Sequence, residues 1–343
     1  MPEHAVNIGL TELAGRVAEL PAGARAERVL ILGGGFSGLR LGRALASQGI
    51  PVLLTHRTLR DDRSGTAITI PERPAEFGDL LRWLPFNEGQ KGLAGLTDPG
   101  TITHLLSTIP PDAQGRDPAL TLLSNDLEHL PLRWVGYLST TGVYGDHQGG
   151  WVDETTSTTH CRNRSQARVQ AEQAWQARGW PLQCFRLPGI YGPGRCPFSS
   201  LHQQRARLIH KPGQFFSRIH VDDIAGAVLH NLLLPADQRP AVLNVADDFP
   251  CPSSETLGYA AHLLGLKLPP CERYEDVAEN LSPMARSFWQ ENRRVSNRLL
   301  RRTLGYQLIH PTYRQGFQAS LEEEQNSRSA QPIPVQSRGQ SAA

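Results

Sequence analysis

Val29-Leu30-Ile31-Leu32-Gly33-Gly34-Gly35-Phe36-Ser37-Gly38 is the stretch on which the reading of this chain turns. Four apolar residues run without alternation, the pattern of a strand covered on both faces in a parallel sheet. A glycine turn follows at once. Residues 39–48 then read as a helix ended by Gly49, and residues 52–54 as a second short strand. Strand, turn, helix and strand make one βαβ unit.

The alternation continues outward from there. Strand-like runs fall at 102–108, 134–139, 182–187 and 241–245, with helix-like stretches at 118–130, 162–177 and 221–234 between them. This predicts an α/β protein with a Rossmann-type, doubly wound parallel sheet of seven strands, built from residues 27–190 and 216–248. Beyond Pro250 the pattern turns to helices, clearest at 253–264 and 295–304. With residues 191–215, the segment 249–322 is expected to form a small, largely helical substrate lobe. Residues 1–26 read as a leader whose stretch 10–20 is a short surface helix or a loose segment, with order starting at Arg28. Residues 323–343, rich in Ser, Gln and Arg, read as a disordered tail.

Composition excludes several classes. The chain has 343 residues and a net charge of +2, from 35 basic and 33 acidic residues, so no global field points to nucleic acid or a membrane. Five cysteines without a CxxC pair argue against a disulfide framework or a zinc site and suit a reducing cytosol. No secretory signal opens the chain, and no apolar run approaches the ~20 residues needed to cross a bilayer. A cytoplasmic protein with no metal site is expected.

Gly33, Gly35 and Gly38 form G-x-G-x-x-G. With 32 glycines the chain will produce chance matches, so position carries the weight: the motif sits between the first strand and the first helix. There Gly33 makes the tight turn, Gly35 lets a pyrophosphate approach, and Gly38 lets helix and strand pack closely. The helix N-terminus at Phe36 and Ser37 supplies N–H groups and partial positive charge. An NAD(P) dinucleotide is the ligand this arrangement implies. The second strand ends in Thr55-His56-Arg57 where an NAD site places a carboxylate, so Arg57 is read as a grip on a 2′-phosphate. NADP(H) is favoured over NAD(H); a solvated surface arginine is the plainer alternative.

Further motifs fit one family. LSTTGVYG (138–145), RLPGIYGPGR (186–195), SRIHVDDIA (217–225) and VLNVADD (242–248) occur in the order found in extended short-chain dehydrogenase/reductases, the epimerase/dehydratase-like superfamily, which the chain resembles. NRRVSN followed by LGYQLIHPTYRQGF resembles the carboxyl-terminal end of an atypical YeeZ-like branch. The resemblance implies that Leu187, Pro188, Gly189 and Ile190 lie beside the nicotinamide. It also implies that Ser107, Thr108 and Ile109 form an adenine-side loop, replacing the asparagine-rich segment of many relatives.

The departures bear on mechanism. The family works with Tyr-x-x-x-Lys, but this chain has three lysines, Lys91, Lys211 and Lys267, preceded at four residues by Asn87, Arg207 and Leu263. No such motif exists here. Counted from Ala171-Glu172, the pair becomes Arg164 and Arg168, neither able to act as a base. Phe216 stands where epimerases carry an arginine for the substrate pyrophosphate, and Arg218 follows two residues on.

Thr140, at the end of a central strand, and Tyr144 are the residues expected to touch the reacting oxygen, with Arg168 beside the nicotinamide ribose and lowering the Tyr144 pKa. His220 and Asp223 are expected to cap and orient the helix that follows them. The arginines at 293, 294, 298, 301 and 302 read as a solvated face, or as the seat of an anionic substrate. The leading function is an NADP(H)-dependent oxidoreductase acting on a small polar carbonyl or alcohol. The alternatives are a non-catalytic NADP(H)-binding sensor or scaffold and a nucleotide-sugar epimerase. A small-molecule partner is expected, with a homodimer left open.

Overall fold

The computed structural model describes residues 8–56, 59–60, 67–68, 75–86, 93, 98–112, 114–159, 161 and 164–329. The strands that matter here are β1 (Arg28–Leu32), β2 (Val52–His56), β3 (Leu81–Pro85), β4 (Ile102–Ser107), β5 (Trp134–Thr140), β6 (Leu182–Leu187), β7 (Gly189–Tyr191), β8 (Arg218–His220) and β9 (Val242–Asn244). Among the described residues, seven of them form one sheet in the order β9-β6-β5-β4-β1-β2-β3. Every neighbouring pair in it is parallel. The winding reverses between β1 and β4, which opens a crevice at the carboxyl ends of the strands.

Helices cover both faces, which is why β4 is buried over its whole length, its Thr103, His104 and Ser107 included, and why β1 reads as an unbroken apolar run. On one face, α1 (Leu10–Ala18), α2 (Phe36–Ala46) and α5 (Val221–Leu233) close one apolar layer; on the other, α3 (Pro118–Glu128) and α4 (Arg164–Gln176) close a second. Asp117 starts α3 by accepting from Ala119 N and Leu120 N, and Trp175 Nε1 on α4 donates to it at 2.9 Å. A third cluster, with Tyr191, Phe198, Leu257, Tyr313 and Phe317, joins the segment after β7 to α6 (Ser253–Leu264) and α7 (Tyr313–Ser329). No helix of the described residues is long and apolar enough to cross a membrane.

Four elements differ from the sequence expectation. The seventh strand, β3, is an edge strand with an interrupted burial pattern and a proline at its end, so it lacks the continuous apolar run of its neighbours. The stretch 295–304 is not a helix: Arg294–Val295 pairs with Trp151–Val152, and Leu299–Thr303 forms only a short helical turn. Extended pairing takes the backbone there, with Val295 N also donating to Ser217 Oγ. The segment 10–20 is no loose leader, because α1 buries Leu13, Ala14 and Val17 in the core. The tail does not begin at 323. Helix α7 continues to Ser329, and Glu323 holds Arg40 on α2 through two hydrogen bonds of 2.8 and 2.9 Å.

Leu13→Ala is expected to cost about 2–4 kcal/mol, the usual range for a buried leucine truncated to leave a cavity. Urea unfolding followed by tryptophan fluorescence measures it; a loss under ~0.5 kcal/mol would mean that α1 contributes nothing to the core.

Candidate dinucleotide and substrate site

The glycine loop is held from both sides of the crevice. Gly33 has φ +100°, a value that favours glycine. Its N–H donates to Thr55 Oγ1 on β2 at 2.8 Å, and its carbonyl accepts from Thr108 Oγ1 at 2.8 Å. Gly34 N donates to Thr55 O at 2.7 Å. A Cβ on Gly38 would collide with the Gly33 carbonyl, so the closeness of helix and turn requires glycine there. A Cβ on Gly35, by contrast, would meet nothing within 4 Å. No side chain caps the first turn of α2. An exposed cradle therefore lies against the N–H groups of Phe36 and Ser37, where a pyrophosphate would fit.

Thr108 and Ile109 sit against this loop, and Ile109 Cγ1 lies 3.1 Å from the Cβ position of Gly33. Ser107 does not reach it. It is fully buried between β1 and β5, pairing with Leu32 and Tyr137, and its hydroxyl has no hydrogen-bond partner among the described residues, so it lies in the interior behind the loop. The sequence did not single out Trp83. Its indole on β3 presses on Gly34, and His56 meets it edge-on at 6.0 Å. Arg57 lies outside the described residues.

Thr140 ends β5 and pairs with Leu187 at the end of β6. Its Oγ1 accepts from Gly142 N at 3.1 Å, which leaves the hydroxyl proton for another acceptor. Tyr144 must be corrected. The side chain is fully buried, its hydroxyl donates to Asn244 Oδ1 at 2.7 Å, and Arg186 Nη1 donates to it at 3.1 Å. Burial raises its pKa, and the cation over its ring is Arg186, not Arg168. Tyr144 thus joins a sealed network in which Arg186 also pairs with Glu172 at 2.7 Å, and Glu172 accepts from Ser139 Oγ. Arg168 Nη1 donates to Leu138 O at 2.9 Å and to Tyr137 OH at 3.1 Å, bracing the strand that carries Thr140. Tyr191, at the edge of the crevice, is buried, and its hydroxyl has no hydrogen-bond partner among the described residues.

His220 caps α5 by accepting from Asp222 N at 3.1 Å, and burial pushes its pKa down to about 3, which keeps it neutral. Asp223 does not cap. It accepts from Tyr306 OH, Ile309 N and His310 N, tying the segment before α7 to the sheet domain. His220, Asp222 and His310 have ligand atoms within 4.8 Å of one another, but Arg40 Nε already stands 2.5 Å from Asp222. The arginine supplies the positive charge that the cluster asks for.

A cavity of about 440 Å³ opens beside Gly189–Tyr191, lined by Arg195, Arg207, Arg218, Ser200, Ser253 and Thr256 among others. Among the described residues, no acidic side chain lines it. Arg207 pairs with Glu272, while Arg218 Nη1 donates to the carbonyls of Phe216 and Cys251 and makes no ion pair among the described residues. Arg293 is engaged by Gly145 O and Glu291, and Arg301 by Asp248, so neither is free for a substrate. Behind Arg218 lies Asp247, whose N–H donates to Arg218 O at 2.8 Å. Its Oδ1 accepts from Phe249 N, its Oδ2 has no hydrogen-bond partner among the described residues, and burial pushes its pKa up to about 8.

A carboxyl that keeps its proton in the fold destabilises the fold as the unfolded chain ionises. Its contribution is complete below the ordinary value of 3.8 and is lost as the pH climbs to about 8, by up to about 1.4 kcal/mol per pH unit. Asp247→Asn keeps the Oδ1 acceptor and cannot ionise. It should be more stable than the wild type at pH 8 and flatten the stability profile between pH 4 and 8. Parallel profiles would show that Asp247 titrates normally.

No protein-family model matches the chain. It is 29% identical over 164 residues to Escherichia coli protein YeeZ, a match covering 43% of this chain and 52% of that one, so the chain spans about half the length of the curated relatives it matches. A solved protein from Silicibacter pomeroyi, described as functionally unknown and conserved, is 42% identical with a TM-score of 0.73, covering 87% of this chain and 99% of that one. A Methylobacillus flagellatus protein classed with the NAD-dependent epimerase/dehydratases is 25% identical with a TM-score of 0.62, covering 88% and 99%. In fold the chain is similar to the Methylobacillus flagellatus epimerase/dehydratase-like protein, and its seven-stranded parallel sheet carries the motifs in the order that the sequence led us to expect.

Proposed function

We propose that this chain is an NADP(H)-dependent oxidoreductase acting on a small, polar, anionic carbonyl or alcohol. The observation that carries the reading is the pairing of two sites on one crevice. The open cradle at Gly35 fits a pyrophosphate, and the arginine-lined cavity lies against Gly189 and Ile190, two of the four residues, Leu187 to Ile190, that the resemblance sets beside the nicotinamide. Gly33, Gly35, Phe36, Ser37 and Gly38 would hold the dinucleotide, with Thr108 and Ile109 fixing the loop. When bound, the nicotinamide supplies or accepts a hydride.

The chain's own part is orientation and charge. Thr140 has a hydroxyl proton to donate to the substrate oxygen, and Arg168 keeps its strand in place. Arg218 sets a positive charge in the cavity for a carboxylate or phosphate on the substrate. With Tyr144 sealed away, the proton comes from solvent in the crevice. The preference for the 2′-phosphate rests on Arg57, which follows the end of β2.

A second reading, dinucleotide binding without turnover, is favoured by the sealed Tyr144 and the missing Tyr-x-x-x-Lys. Incubating the protein with NADPH and a panel of small oxo acids and uncharged carbonyls separates the two. Oxidation of NADPH with the acids alone supports the anionic oxidoreductase; tight binding with no oxidation across the panel moves the binding protein to first place. Arg57→Ala should weaken NADPH by about 1.5–3 kcal/mol, the worth of a hydrogen bond to a charged group, and leave NADH nearly unchanged. Equal losses for both cofactors would remove the NADP preference.

A further inference from the structure

The turn Gly192-Pro193-Gly194-Arg195 follows β7 and closes on itself, Arg195 N donating to Gly192 O at 2.8 Å. It lies over the start of α2. The Arg195 Cζ stands 4.3 Å from the ring centroid of Phe36, the first residue of that helix. A Cβ on Gly192 would come within 3.0 Å of the same ring and 2.8 Å of Val221, so the turn sits flush against both helices. Beyond this stacking, the exposed Arg195 guanidinium makes no hydrogen bond or ion pair among the described residues.

The other candidate cation nearby is spent. Arg40, two residues past Gly38, is held by Asp222 and by both carboxylate oxygens of Glu323. Two carboxylates leave it no net charge to offer a phosphate. Arg195 is the contrasting case, a full charge parked on an aromatic face at the mouth of the glycine cradle. Stacking on Phe36 fixes the plane of the guanidinium while leaving its N–H edges free, the geometry that suits a forked contact with phosphate oxygens.

What keeps the turn there is α7. Gly194 N donates to Glu324 Oε1 at 2.7 Å, and the preceding residue, Glu323, is the one that grips Arg40 on α2. Two consecutive glutamates of the last helix thus tie the turn and the pyrophosphate helix to a common support. Gly316, earlier on α7, packs against the Tyr191 ring, which anchors the other end of the turn.

We propose that Arg195 clamps the cofactor pyrophosphate from the open side of the glycine loop, and that Glu324 on α7 is the positioning residue that holds it there. This rests on the reading that the chain binds a nicotinamide dinucleotide. It adds a contact outside the G-x-G-x-x-G motif and makes the carboxyl-terminal helix part of the cofactor site.

Calorimetric titration of the full chain with ADP-ribose, which carries the pyrophosphate without nicotinamide, and with 2′-AMP, which lacks it, tests the clamp. Arg195→Ala should weaken ADP-ribose and NADPH about tenfold, leave 2′-AMP unchanged and reduce the salt dependence of ADP-ribose binding. Glu324→Ala should weaken ADP-ribose by about threefold to tenfold, Glu324→Gln should restore most of that through its carbonyl acceptor, and neither should matter once Arg195 is alanine. Equal ADP-ribose affinity in Arg195→Ala and wild type would overturn the clamp while leaving the dinucleotide reading intact. Independent, additive losses would remove the positioning role of Glu324. A wild-type protein that binds neither ADP-ribose nor NADPH would take the dinucleotide reading down with the clamp. Without ligand, Arg195→Ala should melt with the wild type, since that side chain is exposed; Glu324 is half-buried, so Glu324→Gln, which keeps the acceptor for Gly194 N, is the variant whose melting temperature should match.

Discussion

The hold of Thr55 and Thr108 on Gly33 is the constraint from which the site follows. One threonine belongs to β2 and the other follows β4, the two strands that flank β1 in the sheet. Because each takes one polar group of the glycine, the turn satisfies its backbone while keeping a φ that favours glycine. The turn in turn fixes the start of α2, since Gly38 packs onto the Gly33 carbonyl. Loosen either threonine and the first helix would lose its register with the sheet, and the cradle at Gly35 with it.

A second polar device lies one strand further along. Ser139, Glu172, Arg186, Tyr144, Asn244 and Glu154 form a connected chain across the carboxyl ends of β5, β6 and β9, with Glu154 Oε1 accepting from Asn244 N at 2.8 Å. The Arg186–Glu172 pair is about 90% buried on both sides. Such a pair gains little net stability over apolar packing, but removing one partner leaves an uncompensated buried charge. Its effect is to fix the strand ends relative to one another, and so to place Thr140 and Leu187 side by side. Chemistry that the family assigns to a tyrosine and a lysine has no counterpart in this network, which faces inward.

Charge is distributed unevenly around the crevice. Arg40, Arg186 and Arg207 are paired with carboxylates, whereas Arg195 and Arg218 make no ion pair among the described residues. Desolvating an unpaired guanidinium is costly, and both remain partly exposed on the cavity. Asp247 behind Arg218 stays protonated near neutrality and does not cancel that charge. The result is a positive recess beside Gly189–Tyr191 and a positive helix terminus at Phe36.

Local patterns settled the parts whose signal is local. The strand β1, the glycine motif and helix α2 were legible because a continuous apolar run, a turn residue with special backbone freedom and a helical period lie within twenty residues of one another. The same holds for β6 and α6, whose bounds at 182–187 and 253–264 match the structure. Tertiary structure decided everything that depends on who faces whom. The phenol of Tyr144 reads as an acid from its motif, yet its partner Asn244 lies a hundred residues away and closes it off. Ser107 and Thr108 are neighbours in sequence, but the strand ends between them, which leaves one in the core and the other in the loop against the glycine turn. The edge strand β3 was invisible for a related reason, because burial on one side only leaves too weak a period, while the helical period of α1 was legible but not the core surface that its apolar face covers. Arg195 belongs to the same class: its charge is written in the sequence, and its place above Phe36 comes only from the packing of the last helix against the first βαβ unit.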